Sequence, residues 1–258
     1  MGTHLAAFKK SIDSAVLVSL DTIVDDVLTR PAADRFQVPP DYNSIAWAAT
    51  LGVNVTRAQI VSPTLEVKRM SLDIIPQERG GIIFSLESPR VLVPKVDLVL
   101  TPTENFQVFG SEDAAGASVV AALVALKAPG ALPAMPSGDI RLVRATAAVT
   151  LVVDTWTTLT PVFEKDLEPG TYVLVGFIPQ SANLIAARVM FPGGTYRPGV
   201  PGAAGAIAVA LDHGADFYDK LMWYAMGTFT HVSPPQFQFL STVADTSEVI
   251  ILYVIKVG

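Results

Sequence analysis

The chain has 258 residues, half of them apolar and only 16% charged, with 18 Lys and Arg against 24 Asp and Glu for a net charge of −6. This excludes intrinsic disorder, which needs low hydrophobicity and high net charge, and it excludes a general cationic surface for nucleic acid. The absence of cysteine removes disulfides, thiolate metal sites and cysteine nucleophiles together. No stretch supplies the roughly 20 consecutive apolar residues of a spanning helix; Ala114 to Leu126 is uncharged but holds Gly116 and Ser118 and ends at Lys127. Met1 to His4 is not followed by a signal-peptide core, and Ala6 stands where a myristoylation signal needs Ser or Thr. The expectation is a soluble chain that is not exported by the standard route.

In chain order, Leu5, Phe8, Ile12, Val16, Leu20, Ile23 and Val27 recur every three or four residues until Pro31. This spacing predicts an amphipathic helix, or two shorter ones, over residues 4–29. Its apolar stripe, Phe8, Ile12, Val16, Leu20 and Ile23, is a candidate interface. Residues 31–57, punctuated by Pro31, Pro39, Pro40, Asn43 and Gly52, read as a linker pinned by Tyr42 and Trp47. From residue 58 the texture changes to short runs rich in Val, Ile, Thr, Phe and Tyr. A first series comprises Ala58–Ser62, Leu65–Ile75, Gly81–Leu86, Val96–Thr101, Phe106–Phe109 and Val119–Leu126. A second comprises Ile140–Val153, Tyr172–Ile178, Leu184–Phe191, Ala206–Leu211, Met226–Thr230, Gln236–Leu240 and Val249–Val257. Many short strands at this spacing predict an all-β sandwich or barrel. Pro129, Gly130, Pro133, Pro136 and Gly138 mark a boundary between the series. The expected organisation is an N-terminal helical arm and linker over 1–57, a first β-sandwich block over 58–133 and a second over 134–258. One large sandwich with a long internal loop is the alternative. No internal sequence repeat is evident.

Few residues suggest chemistry. The stretch from Phe191 to Gly202 is Gly-rich but has no lysine and three prolines, so it is a stiffened loop rather than a phosphate cradle. Its Tyr196 and Arg197 are candidate interface residues. Asp212, His213, Asp216 and Asp219 resemble a metal cluster, but the spacing fits neither a calcium loop nor paired zinc histidines, and a solvated loop is the plainer reading. Gly110 to Asp113 reads as an acidic turn. There is no Gly-x-Ser-x-Gly elbow. His4 falls in the arm, and His231 at a strand end reads as structural or as an interface residue. Asn54-Val55-Thr56 matches a glycosylation sequon by coincidence. The expectation is no enzyme, no catalytic residue, no cofactor and no metal. Residues 1–35 carry four basic and five acidic side chains, so the arm is not a polycation and does not bind nucleic acid by charge neutralisation.

Leu167-Glu168-Pro169-Gly170-Thr171-Tyr172-Val173-Leu174-Val175-Gly176-Phe177 is a tight turn feeding an apolar strand. Ala187 to Gly193, the Arg197-Pro198-Gly199 loop, Ser233 to Leu240 and a last strand ending Tyr253 to Val257 follow it. This pattern, over residues 58–257 and most fully over 167–257, resembles the jelly-roll virion shell proteins of bacterial and archaeal viruses. The resemblance implies a jelly-roll-like β-sandwich body and a structural, self-assembling capsid subunit without catalysis. Its place would be the virion, assembled in the host cytoplasm. Its partners would be copies of itself, as a trimer or a pentameric or hexameric capsomer, and other virion proteins. Membrane contact is left open. Unlike small plant-virus shell proteins, this chain has no basic genome-binding arm. High apolar content with few charges also suits an obligate interface. The competing reading is a lectin-like or carbohydrate-binding β-sandwich module, which calls for exposed aromatic rings or a calcium site.

Overall fold

The computed structural model describes residues 2–52, 54–70, 72–74, 77–78, 91–113, 116–181, 183–202, 216–244, 246 and 248–258. The expected strands Gly81–Leu86 and Ala206–Leu211, with Asp212 and His213, lie outside these residues. The chain is all-β in its described sheets and divides into two compact units. One is built from described residues between Leu5 and Gly130. The other is Ala131–Gly258 together with the residues up to His4.

The first unit contains β1 (Thr3–Ile12) from Leu5 onward, β2 (Val18–Ser19), β3 (Asp21–Thr22), β4 (Phe36–Gln37), β5 (Ser44–Gly52), β6 (Val55–Val61), the single-turn helix α1 (Pro63–Val67), β7 (Leu72–Ile74), β8 (Gln77–Glu78), β9 (Asn105–Glu112) and β10 (Ser118–Lys127). One sheet runs β3-β1-β10-β5-β8 and the other β2-β9-β6-β7, with β4 paired to β9. The second unit contains β11 (Arg141–Ala147), β12 (Thr157–Leu159), β13 (Val162–Phe163), β14 (Thr171–Gln180), β15 (Leu184–Met190), β16 (Gly199–Pro201), β17 (Gly227–Thr230), β18 (Gln236–Ser241) and β19 (Glu248–Lys256). Its sheets run β13-β11-β19-β14-β17 and β12-β18-β15-β16.

These are two jelly rolls. If β1, β2, β5, β6, β7, β8, β9 and β10 are lettered B to I, the sheets of the first read B-I-D-G and C-H-E-F. The second has the same order with β11, β12, β14, β15, β16, β17, β18 and β19, except that its β17 runs antiparallel to β14. Each adds a two-residue edge strand after C that pairs with B, β3 in the first and β13 in the second. In the first unit β8 runs parallel to the end of β5. Leu92 and Val99 then bridge antiparallel to Ala48 and Ser44 along that strand.

The duplication extends to irregularities. Strand D carries a one-residue bulge against strand I, at Ala46 in the first jelly roll and at Val175 in the second. Strand E carries one against strand H, at Thr56 and at Ile185. Between these bulges, the same number of residues after the D bulge, stands an asparagine in the left-handed region: Asn54 at φ 58° and Asn183 at φ 65°. Asparagine tolerates that region because its short polar side chain bonds locally. The backbone of this turn ties to strand H alike in both, Asp113 N–H donating to Asn54 O at 3.1 Å and Thr242 N–H to Asn183 O at 3.2 Å.

The expected N-terminal helix is corrected: residues 3–12 are strand B. Six consecutive residues, Thr3 to Phe8, are buried, so the period-two alternation that marks a strand is absent. Ile12, Leu20 and Ile23 come from different segments that converge on one core, and their helical spacing is an accident of the turns between them. The linker reading of 31–57 is corrected too. Every residue of β5 is buried, and it is strand D rather than an irregular arm, so 1–57 is not a separate arm and linker. Gly52, at φ 156°, ends β5 because a Cβ there would lie 2.6 Å from the Val119 carbonyl oxygen. The expected strand Leu65–Ile75 begins instead with α1. Ser62 caps it, its hydroxyl accepting the Leu65 N–H at 3.3 Å, and Pro63 pre-sets the first helical φ.

Two stability outcomes follow. Ile12→Val should cost about 1 kcal/mol, and Ile12→Asp about 4 kcal/mol or more, since it buries an unpaired charge. Urea unfolding of the purified chain checks both; an Ile12→Asp protein as stable as the parent would place Ile12 at the surface. Asn54→Gly and Asn183→Gly should change stability by no more than about 0.5 kcal/mol, whereas Asn183→Val should cost about 1–2 kcal/mol through its positive φ. Differential scanning calorimetry separates these outcomes.

Candidate assembly surface

The predicted N-terminal stripe is core. Phe8, Ile12, Leu20 and Ile23 are buried, and Phe8 sits in a ring cluster with Phe36 at 5.7 Å and Phe106 at 6.2 Å. Of the stripe only Val16, in the B–C connection, is exposed, at 74%. His4 is buried in β1 rather than carried on an arm. Glu112, expected in an acidic turn, is a buried residue at the end of β9, and its Oε1 accepts the Ser14 N–H at 2.9 Å to close the B–C connection.

In the second jelly roll, Phe237 meets Phe177 across the sandwich at 5.1 Å, so the odd-numbered residues of β18 point inward and Gln238 points outward. Gln238 lies in register with Thr158 on β12 and Arg188 on β15. Its Nε2 donates to the Thr158 hydroxyl at 3.0 Å, and its Oε1 accepts from Arg188 Nε at 2.7 Å and Arg197 Nη1 at 3.1 Å. The Arg188 guanidinium also stacks over Trp156, 4.1 Å from the ring centroid, which leaves Arg188 buried on the outer face of a sheet. Arg197 therefore fastens the E–F connection to the sheet, while Tyr196 beside it is half-buried. Sequence reasoning missed Arg188, Gln238 and Trp156; the Arg188–Gln238 register pairing that unites them is visible only once the strands are aligned.

The outer face of the B-I-D-G sheet is covered differently. Residues 216–221 are helical, and Tyr218 and Trp223 stack at 4.8 Å. Trp223 meets Tyr253 of β19 edge-on at 5.2 Å. The Tyr218 hydroxyl accepts the Phe177 N–H at 2.6 Å and donates to the Phe177 carbonyl at 2.7 Å, satisfying both backbone groups just beyond the D bulge. Gly176 is required there, because a Cβ would lie 2.9 Å from the Tyr218 ring. Asp219 accepts the Trp223 indole N–H at 2.8 Å, so that member of the predicted acidic cluster orients an aromatic ring. Among the described residues, no three His, Asp or Glu side chains converge as a metal site would require.

A cleft of about 360 Å³ at the B edge of this sheet is lined by Arg141, Arg144, Glu164, Lys165, Glu168 and Tyr172, among others. Glu168 pairs with Lys256 at 3.2 Å and Arg141 at 3.1 Å, and Arg144 with Glu164 at 3.0 Å. The hydrogen bond from Lys256, then that from Arg141, hold the Glu168 carboxyl below its usual range. These exposed pairs neutralise one another and offer no nucleophile with an adjacent base. His231 is structural: its Nδ1 accepts the Gly170 N–H at 3.1 Å, and its own N–H donates to Gly170 O at 3.2 Å. Asn54 of the sequon is exposed, but Asn183 holds the same left-handed corner without a sequon, so backbone geometry accounts for both.

The exposed large apolar side chains among the described residues are Val, Leu, Ile and Met. Val152 is 55% exposed, Val153 45% and Val243 49%. They gather where the B–C, D–E and H–I connections meet: Val153 bridges Ser241, and the Ser241 hydroxyl donates to Asn183 O at 3.0 Å and to Val243 O at 2.7 Å. Leu142, 59% exposed, stands on β11 in register with Tyr253 at the rim of the aromatic cover. No aromatic ring among the described residues is exposed.

The chain matches no protein-family model and no curated protein. Among solved structures it is similar to the crystal structure of the major capsid protein P2 from Bacteriophage PM2, at 11% identity and a TM-score of 0.25, covering 99% of this chain and 98% of that one. A likeness at that level transfers no function.

Tyr218→Phe should cost about 1–3 kcal/mol, because it strands two buried backbone groups, and urea unfolding measures it. Burial also pushes the Tyr218 hydroxyl well above its usual value and Tyr224, which bonds Thr3, up to about 12. Both lose their protons more readily unfolded than folded. Stability should therefore hold below about pH 10 and fall as pH rises towards 12, by up to about 1.4 kcal/mol per pH unit for each tyrosine. The double variant Tyr218→Phe/Tyr224→Phe should show a shallower alkaline loss, and an unchanged slope would refute this.

Proposed function

We propose that this chain is a structural virion protein, a self-assembling shell subunit that works by contact rather than catalysis, with copies of itself as its main partner. The observation that carries the reading is the character of the exposed apolar surface. Among the described residues its rings are buried or half-buried, while aliphatic and methionine side chains stand out, valines and a leucine among them at connection ends and at the rim of a sheet. Jelly rolls serve both shells and lectins, and a lectin-like site calls for exposed rings on which a sugar stacks. Protruding aliphatic side chains instead suit burial against another protein surface. The duplicated jelly roll supports the same reading, since each chain supplies two like building blocks with the same connection ends.

Light scattering on the purified chain should give a homo-oligomer, a trimer or a larger capsomer, and negative-stain microscopy should show rings or closed shells. A strict monomer at all concentrations that binds glycans would overturn the proposal in favour of the carbohydrate-binding module.

A further inference from the structure

We draw no further inference here: the strongest candidate, the aliphatic corner of Val152, Val153 and Val243 where the B–C, D–E and H–I connections of the second jelly roll meet, carries nothing because no feature of the structure shows what covers it.

Discussion

The central strands of both jelly rolls are buried on both faces, and the remaining structure answers that demand. Every residue of β5 is buried, as are all but the ends of β14 and all but Val249 and Lys256 of β19. A strand of this kind needs a layer on each side. The facing sheet supplies one, as in the Phe177–Phe237 contact. In the second jelly roll, residues 216–224 supply the other, laying Tyr218 and Trp223 over Gly176 and Tyr253. The cover can approach so closely only because position 176 has no side chain. The D bulge is tolerated because a buried hydroxyl bonds the Phe177 backbone beside it. The same logic acts on the opposite sheet, where Trp156 and Arg197 close over a guanidinium that would otherwise be left in an apolar layer without cover.

This burial also decides what could be read from the chain alone. Ala58 to Val61, Tyr172 to Ile178 and Val249 to Lys256 announce themselves through β-branched and aromatic residues between turn formers, whereas Val55 to Arg57 at the start of β6 read as linker. β1 and β5 do not, because burial on both faces erases alternation, and β5 is rich in alanine, a residue that favours helices in isolation. What makes Ala46 to Ala49 a strand is its place between neighbours, which is not local information. The duplication was illegible for a related reason. The two halves share bulge positions and pairing registers, not residue types: Ala46 corresponds to Val175 and Thr56 to Ile185, and of these positions only the asparagines at 54 and 183 are the same. Backbone geometry is reproduced where side chains have been replaced.

The interface stripe failed on the same ground. A run of apolar residues at helical spacing carries no sign of whether the chain between them turns, and Ser14 to Leu17 does turn. Tyr196 and Arg197 are interface candidates from the composition of their loop alone, and the Arg197 bond to Gln238, which is itself aligned with Thr158 and Arg188 across three strands, has no trace in that composition.

The sheet edges bear on the proposed association of copies. Edge strands invite pairing with other chains unless charge or brevity prevents it. Here β3 and β13 are two residues long, and salt bridges stand on them or just beyond, Lys10 with Asp21 at 3.6 Å and Arg144 with Glu164 at 3.0 Å. Such exposed pairs add little stability, about 0–1 kcal/mol each, but a partner strand would have to strip their water, so they act chiefly against edge-to-edge association. In the second jelly roll Val152, Val153 and Val243 stand out at the connection ends. Valine has one rotatable bond and loses little freedom on burial. Contacts made at these ends would therefore keep most of their hydrophobic gain. Under the proposed assembly, charge at these two edges would oppose open-ended strand addition, which is prone to run on as fibres, and would leave contacts of fixed geometry between connections as the favoured mode.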